Sequence, residues 1–328
     1  MLKVAAHDIL SFLASGDWVS GEEIARKLSI SRAAVCKQVK ILRQRGYEIS
    51  SSSGKGYRLA RKVDLLDADR IRGSLNTRWL GRDLQIIGQV SSTNAAAISS
   101  ISSLPNGAVI LAETQTEGRG RLSRPWASPP GGIWMSLVLK PIMPLNHVYR
   151  INMAVSVALC RALSDLFGLD AGIKWPNDLL IGQMKICGIL MEVGAQVDRL
   201  DYVVVGLGLN ANNDTSRFPA EWRSTSIAME LGHDIDRCDL ICRILQEIEE
   251  AYENMGGIEI YEEWRRHSLT LNRQVLISSA SGELIGEAVD LAEDGALVIQ
   301  IGDERKRVLA GDCIHLRDAT AAAVVEGR

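Results

Sequence analysis

The stretch KWPNDLLIGQMKICGILME, residues 174–192, decides how the central part of the chain folds. It has strand character on both sides of Pro176, and a proline interrupts regular strand pairing. We therefore expect Asn177 and Asp178 on an irregular exposed turn, with Lys174 and Lys185 on adjacent strands. Two lysines placed in this way would form a cationic site for a phosphate and a carboxylate. An ordinary hairpin with surface lysines fits the same letters.

A second polar stretch, ETQTEGRGRLSRPW at residues 113–126, follows the strand-like segment AVILAETQ. It contains neither the phosphate-binding pattern GxxxxGK[S/T] nor a GxGxxG dinucleotide pattern that opens a helix. Its glycines permit close backbone approach and unusual dihedral angles, while its arginines suit a carboxylate or a phosphate. A solvated surface loop is the alternative interpretation. The polar stretch SSTNAAA, residues 91–97, lies in the same way behind the strand-like LQIIGQV.

These stretches lie in a central block, residues 83–270, that alternates strand-like and helix-like segments. The predicted strands are LQIIGQV, AVILAETQ, IWMSLVLK and YVVVGLGLN, and the predicted long helices are HVYRINMAVSVALCRALSDLF and DLICRILQEIEEAYENM. The fold class is therefore α+β, with a mixed α/β central domain. Residues 271–328 contain four or five short strands at near-regular spacing, which favours a small β-barrel. Residues 63–82 form a connector with a short helix.

The first block, residues 1–62, has the pattern of a winged helix-turn-helix. Ser20 and Glu23 form a capping box before one helix, while Ser31 caps a second, basic helix that Gly46 ends. Two strands around a Ser/Gly/Lys turn follow as the wing. The second helix would enter the major groove of DNA and the wing would reach phosphates. The predicted DNA-binding residues are Ser31, Arg32, Ala33, Lys37, Lys40, Lys55 and Arg58.

The charge distribution supports a polyanionic partner for the first block only. Residues 1–62 hold 12 lysines and arginines against 5 aspartates and glutamates, a balance of +7, whereas the remaining residues hold 25 against 35, a balance of −10. A protein-binding winged domain with a solvated basic helix is the alternative. The six cysteines are scattered without a CxxC pair, which argues against zinc and a disulfide framework and indicates a reducing cytoplasm. No apolar run approaches the ~18–20 residues of a membrane span.

The segments SSTN, ETQTEGRGR…W, KWPNDL and KICGIL, in this order, resemble the biotin protein ligases. The first block resembles the DNA-binding domain of the bifunctional members, the biotin operon repressors, and the third block resembles the small SH3-like C-terminal barrel of that family. Nearly the whole chain is covered. One departure stands out, because the family loop continues with another basic residue and a glycine where this chain has Leu122 and Ser123.

The resemblance implies a two-step reaction. In the first step, the carboxylate of biotin attacks the α-phosphate of ATP, which carries Mg²⁺, to give biotinyl-5′-adenylate and pyrophosphate. In the second step, a carrier-domain lysine displaces AMP. The implied catalytic residues are Lys174, Arg119 and Arg121. The implied biotin contacts are Ser92, Thr93, Asn94, Gln115, Arg119, Gly120, Arg121 and Lys174. The implied ATP and adenylate contacts are Arg119, Arg121, Trp126, Asn177, Asp178, Lys185 and Asn210, with the metal ion near Asp178.

The implied partners are a biotin carboxyl carrier domain, operator DNA and a second copy of the chain, joined through the central sheet when the adenylate binds. Two other functions remain open at this point: a ligand-sensing regulator without turnover, and an acyltransferase like the lipoate ligases. Simpler roles also exist for single residues. Ser92 and Thr93 could cap a helix, Asn210 could end a strand, Trp126 could pack only, and Arg317 receives no role.

Overall fold

The computed structural model describes residues 6–13, 15–44, 47–60, 65–196, 199–279 and 282–316. Gly46, the predicted helix end, the unassigned Arg317 and the predicted domain boundary at residues 62 and 63 lie outside these ranges. No helix within them is long and apolar enough to cross a membrane.

The N-terminal domain is a winged helix-turn-helix, as its sequence pattern predicts. Its elements are α1 (Ala6–Leu13), α2 (Gly21–Lys27), α3 (Arg32–Gln44), β1 (Ile49–Ser52) and β2 (Gly56–Leu59). The hydroxyl of Ser20 accepts the Glu23 N–H at 3.0 Å, and that of Ser31 accepts the Ala34 N–H at 3.1 Å, so both predicted caps form. The apolar faces of the helices and the wing share one core.

A connector helix, α4 (Ala68–Ser74), precedes a central domain built on a seven-stranded sheet. The strand order is β3-β4-β5-β9-β8-β7-β6; β3 and β4 are parallel, and the other neighbours are antiparallel. The strands are β3 (Leu84–Ile87), β4 (Val109–Ala112), β5 (Ile133–Leu139), β6 (Ala171–Lys174), β7 (Asp178–Ile181), β8 (Met184–Gln196) and β9 (Arg199–Leu209). The helices are α5 (Thr93–Ser99), α6 (Tyr149–Phe167), α7 (Ile227–Leu231), α8 (Arg237–Glu253) and α9 (Ile258–Arg266).

The helices cover both faces of this sheet. The apolar residues of α6 and α8 belong to the large core, while Ala97 of α5 packs in a second cluster with Ile110, Val138 and Val204. With both faces covered, β5 is buried along its whole length, so its sequence reads as a continuous apolar run interrupted only by Ser136.

The C-terminal domain is a five-stranded antiparallel sheet in the order β13-β12-β11-β10-β14. Its strands are β10 (Gln274–Ser279), β11 (Gly282–Leu291), β12 (Leu297–Ile301), β13 (Glu304–Val308) and β14 (Asp312–His315). Closure into an SH3-like barrel stays a prediction. Val275, Ile277 and Ala288 of this sheet belong to the same core as the central domain, so the two domains pack together.

Candidate functional site

The KWPND segment forms a tight turn between β6 and β7. The Trp175–Pro176 peptide bond is cis, and the carbonyl of Pro176 accepts hydrogen bonds from Asn152 Nδ2 at 2.8 Å and from the Tyr149 hydroxyl at 3.2 Å. Both donors belong to α6. Asn152 is buried, so α6 supports the turn from the inside of the protein. The sequence predicts this helix but not its contact with the turn.

Two predictions about this turn are wrong. Asp178 does not lie on an exposed irregular turn, since it begins β7 and pairs with Lys174 on one side and Gly188 on the other. Asn177 is also half-buried. Lys174 and Lys185 are not on adjacent strands, because the short strand β7 lies between β6 and β8. The physical reason is that residues 175–177 form a tight hairpin turn, after which Asp178 pairs back with Lys174.

The two lysines have different surroundings. The Lys185 ammonium lies 2.8 Å from the Asp178 carboxylate and 5.0 Å from the ring centre of Trp126. The Lys174 ammonium forms no hydrogen bond or ion pair with the residues that the structure describes. A half-buried ammonium without an anion is poised to meet one from a ligand.

The arginine loop closes on itself as a small hairpin. Gly120 N–H donates to the Arg124 carbonyl and Trp126 N–H donates to the Gly118 carbonyl. A Cβ atom on Gly118 would lie 2.7 Å from Ser128 Oγ, so close approach requires this glycine. The unusual dihedral angles, however, fall on Leu122 (φ 54°) and Ser123 (φ 57°) rather than on the glycines. The departure from the family loop therefore coincides with its left-handed residues.

The three arginines of this loop point in different directions. Arg121 donates to Asn177 Oδ1 at 3.3 Å and so reaches the KWPND turn. Arg119 is exposed and, among the residues that the structure describes, its side chain pairs only with Glu117, at 3.4 Å. Arg124 pairs with Asp312 of the C-terminal sheet at 2.6 Å. The loop thus meets the turn through Arg121 and the C-terminal domain through Arg124.

The indole of Trp126 lies on a floor of two glycines. Gly188 and Gly208 are cross-strand partners on β8 and β9, and a Cβ on either would contact the indole. The indole N–H is buried and has no hydrogen-bond partner among the residues that the structure describes. The flat indole and the Lys185 ammonium beside it form a surface that suits a planar polar group.

The SSTN segment opens α5 and enters a buried polar network. Ser92 caps the helix, since its hydroxyl accepts the Ala95 N–H at 3.5 Å. Gln115 Oε1 accepts the Thr93 N–H at 2.8 Å, so the SSTN segment and the arginine loop are joined. Thr93 is almost fully buried, and its Oγ1 lies 2.7 Å from the hydroxyl of Ser136.

Asn94 completes this network, since its amide oxygen accepts from Ser136 at 2.6 Å and its Nδ2 donates to Glu192 at 2.7 Å. Ser136, Glu192 and Ser128, which accepts from Gln115 Nε2 at 2.8 Å, were not predicted from the sequence. Ser136 does leave a signal, as a polar residue inside an otherwise apolar strand.

Asn210, the predicted nucleotide contact, lies in a buried hydrogen-bonded cluster. Its side chain is buried, its Nδ2 donates to the Thr225 carbonyl at 3.0 Å, and its Oδ1 accepts from Asn213 at 3.0 Å. With both polar atoms engaged, Asn210 holds the loop at residues 210–225 in place.

The predicted DNA-binding residues all lie on the surface of the N-terminal domain. The exposed positions of α3 and the wing include Ser31, Arg32, Ala33, Lys37, Lys40, Lys55 and Arg58. Arg43 was not predicted: its Nε donates to the Ile49 carbonyl at 2.8 Å and so ties α3 to the wing. Arg58 lies 5.1 Å from the ring centre of Trp18, which fixes the base of the wing.

Within the described ranges there is no group of three or more His, Cys, Asp or Glu side chains that could hold a metal ion. Asp178, the predicted metal neighbour, is paired with Lys185. One carboxylate suits Mg²⁺ that arrives on a nucleotide, because this ion binds through few protein ligands plus phosphates and water.

Three family models match the chain. Residues 87–210 match the biotin/lipoate A/B protein ligase family, residues 6–58 match an HTH domain, and residues 270–316 match the biotin protein ligase C-terminal domain. These matches follow the order of the three parts of the fold.

Curated relatives cover almost the whole chain. The bifunctional ligase/repressor BirA of Bacillus subtilis is 34% identical over 91% of this chain and 94% of its own length. The bifunctional ligase/repressor BirA of Escherichia coli is 28% identical over 95% and 97%. Among solved structures, a biotin protein ligase from Aquifex aeolicus in complex with biotin and ATP matches with a TM-score of 0.62 at 26% identity, covering 72% of this chain and all of that one.

Proposed function

The chain belongs to the biotin protein ligase family, and we propose that the site around Lys174 performs both steps of its reaction. The protein is an ATP-dependent biotin ligase and a DNA-binding repressor. In the first step, the biotin carboxylate attacks the α-phosphate of ATP and pyrophosphate leaves. In the second, the amine of a carrier-domain lysine attacks the carbonyl of the mixed anhydride and AMP leaves. Neither step needs a covalent intermediate on the protein.

Lys174 carries the central electrostatic role in this proposal. Two anions, a carboxylate and a polyphosphate, must approach each other, and a cation between them offsets their repulsion. The observation that carries the assignment is that the Lys174 ammonium is half-buried and has no anionic partner among the described residues. Lys185 supports the phosphates from β8, where Asp178 holds it until a more strongly charged ligand arrives.

The arginine loop is assigned to closing over the ligand. Arg121 already reaches Asn177 of the KWPND turn, so it sits between biotin and nucleotide. Arg119 is exposed with only a weak local pair, which leaves it free to turn toward the adenylate when the loop closes. Gly120, with no atom within 3.4 Å of a Cβ placed on it, leaves space there for a ligand.

The vitamin and the nucleotide are assigned to the two polar regions on either side of Lys174. Ser92, Thr93, Asn94 and Gln115 form a network of hydroxyl and amide groups, and we assign the ureido ring to the side of this network. Trp126 is assigned to the adenine through the flat face of its indole, since the indole N–H is buried against Gly208. Asn177 and Asp178 hold Arg121 and Lys185 in place, and Mg²⁺ arrives on the triphosphate near Asp178. Asn210 acts indirectly, by holding the loop at 210–225.

The decisive test is biotin-dependent exchange of pyrophosphate into ATP, measured for the wild-type protein and Lys174→Ala. We expect the variant to lose activity by at least about 100-fold with an unchanged thermal midpoint, since one preorganised cation is removed from the charge-bearing step. Lys140→Ala is the matched control, because Lys140 is an exposed lysine whose ammonium donates to the Leu104 carbonyl, away from the site. Exchange by Lys174→Ala at the wild-type rate would remove Lys174 from this role.

Two further measurements separate the other functions. Incubation with ATP, Mg²⁺, biotin and a carrier domain, followed by intact mass, should show one added biotinyl group; a pure ligand sensor would add none. Replacing biotin with lipoate should give no product.

The repressor function is assigned to the exposed face of α3 and the wing, and we propose that the adenylate-bound protein acts as a dimer through the central sheet. Anisotropy with upstream DNA of the gene should show tighter binding when adenylate is present. Sedimentation should show adenylate-driven dimerisation. Binding that ignores the adenylate would refute this coupling.

A further inference from the structure

The peptide that carries Lys174 is held by residues of the C-terminal junction. Ile173 N–H donates to the His267 carbonyl at 2.7 Å, and Leu269 N–H donates back to the Ile173 carbonyl at 2.9 Å. The segment at 267–270 therefore lies along the edge of β6. One residue further, the Trp175 N–H donates to Thr270 Oγ1 at 3.0 Å. The N–H of the Lys174–Trp175 peptide is thus hydrogen-bonded to the hydroxyl of a fully buried threonine.

Thr270 is itself held by the C-terminal sheet. Its Oγ1 lies 3.0 Å from Nε2 of His315, the last residue of β14. The threonine oxygen already accepts the Trp175 N–H, and the hydroxyl carries one proton to donate. That proton satisfies His315 Nε2 if the imidazole is neutral and bears its hydrogen on Nδ1. The chain of hydrogen bonds then runs in one direction, from Trp175 through Thr270 to His315.

We propose that Thr270 and His315 are positioning residues that fix the Lys174–Trp175 peptide and so hold the Lys174 ammonium in the direction from which it meets the two substrates. The inference rests on the proposed function of Lys174. Neither residue touches the reacting atoms. Their effect arises because a shift of the peptide at the end of β6 also shifts the Lys174 ammonium. Displacements of about 1 Å near a reacting centre cost as much as ~100-fold in rate.

The charges around the imidazole favour the neutral form that this arrangement needs. Burial, together with the nearby positive charges of Lys174 and Arg273, lowers the pKa of His315 to about 4. His315 therefore stays neutral near pH 7 and can accept the threonine proton. This also ties the two ends of the network electrostatically, because a charged His315 would repel Lys174.

The experiment compares two disruptive variants with two conservative ones. Thr270→Val and His315→Leu remove the hydroxyl and the imidazole acceptor, while Thr270→Ser and His315→Gln retain a hydroxyl and an acceptor. Thr77→Val is the matched control, since Thr77 is equally buried and donates to a backbone carbonyl, that of Leu80 at 2.6 Å, away from the site. The readouts are kcat and the KM values for biotin and ATP in pyrophosphate exchange, and the thermal midpoint.

We expect kcat to fall roughly tenfold or more in Thr270→Val and His315→Leu, with both KM values within about twofold of wild type. Thr270→Ser and His315→Gln should keep at least half of the wild-type kcat. Thr77→Val should lower the thermal midpoint without changing kcat. Loss of stability with unchanged kcat in Thr270→Val would reduce the pair to a structural role and overturn the inference.

A second readout does not depend on turnover. Competitive labelling with acetic anhydride, followed by mass spectrometry, gives the reactivity of Lys174 relative to Lys140 in the same molecule. Thr270→Val should change this ratio at least about twofold, whereas Thr77→Val should not. If Lys174→Ala is fully active, the proposed function of Lys174 fails, yet an altered labelling ratio in Thr270→Val still supports the positioning of Lys174. If Lys174→Ala is inactive but the labelling ratio in Thr270→Val is unaltered, only the positioning is overturned.

Discussion

Replacing Gly208 with alanine should displace the indole of Trp126 from the sheet. A Cβ on Gly208 would lie 2.6 Å from Cε2 of that indole and closer still to its Nε1, whereas non-bonded carbon atoms prefer about 3.5–4.0 Å. The indole must therefore move by about 1 Å. Because the backbone N–H of Trp126 also donates to the Gly118 carbonyl and closes the arginine loop, the loop moves with the indole. Overpacking of this kind costs about 1–3 kcal/mol.

This cost should appear in how well the closed loop keeps its ligand. If about 2 kcal/mol is lost from the closed state, biotinyl-5′-adenylate should dissociate about 30-fold faster. The assay loads the protein with labelled adenylate and follows its release after a chase with unlabelled adenylate. Thermal unfolding of the same sample reports the change in stability.

Gly194→Ala is the matched control. Gly194 lies in the same strand pair, and a Cβ on it would lie 2.8 Å from Cδ1 of Tyr202 and closer to other ring atoms, but no proposed ligand contact lies there. It should lower stability to a similar extent and leave release within about twofold of wild type. Two results would refute the proposal that the glycines under Trp126 support the closed loop. One is an equal release rate for wild type and Gly208→Ala, and the other is equal acceleration of release by Gly208→Ala and Gly194→Ala.

Three other substitutions test the site and its supports. Ser123→Gly should raise the free energy of unfolding by about 0.5–1 kcal/mol in urea, because glycine adopts the φ of 57° without the steric cost that serine has there. Asn152→Leu should lower the free energy of unfolding by about 1–3 kcal/mol and slow pyrophosphate exchange, since it removes the 2.8 Å donor to the Pro176 carbonyl. Finally, the lowered pKa of His315, about 4 when folded against 6.5 in the unfolded chain, should make wild-type stability fall between pH 6.5 and 4 by up to about 2 kcal/mol relative to His315→Gln.

The sign of the last effect follows from proton binding. Between these two pKa values the unfolded chain binds a proton that the folded protein excludes, so the stabilisation is complete above pH 6.5 and is lost toward pH 4. Equal pH profiles for wild type and His315→Gln would contradict it.

Ser29→Gly, at another serine with positive φ, is the control for Ser123→Gly, and a loss of stability in Ser123→Gly would contradict its rationale. An unchanged exchange rate in Asn152→Leu would show that the turn holds without the Asn152 hydrogen bond.

Local patterns account for what the sequence predicts correctly. Apolar residues at helical spacing gave the long helices α6 and α8 within two residues at either end, and Ser20 and Ser31 cap the helices as their positions indicate. These signals depend on neighbours only a few residues away. The winged domain, the central α/β domain and the all-β C-terminal domain were therefore predictable from the sequence in the correct order.

Two expectations failed for identifiable reasons. Pro176 does interrupt strand pairing, but the turn is only three residues long, so pairing resumes at Asp178 and β7 inserts between the lysines. Glycine was taken to supply the unusual dihedral angles of the loop, yet Leu122 and Ser123 adopt them. In both cases the closed geometry of the surrounding segment outweighs the preference of the single residue.

The largest omissions are residues whose only signal is spatial. Thr270 and His315 lie about a hundred residues or more from Lys174 in the chain, and no spacing rule connects them. The same holds for Asp312, the partner of Arg124, and for Gly295, whose carbonyl accepts the Trp175 indole N–H at 2.9 Å. All four belong to the C-terminal domain or its junction.

These contacts change the interpretation of the C-terminal domain. A Cβ on Gly295 would lie 2.6 Å from Cγ of Tyr149, so this glycine lets the domain approach the helix that fixes the KWPND turn. Trp175 is held by Gly295 and Thr270, and the arginine loop is held by Asp312. Both segments that identify the site from the sequence are thus anchored in the third part of the chain. Because the anchors act on the backbone beside Lys174 and on the loop that closes, the C-terminal domain is a structural component of the ligase site.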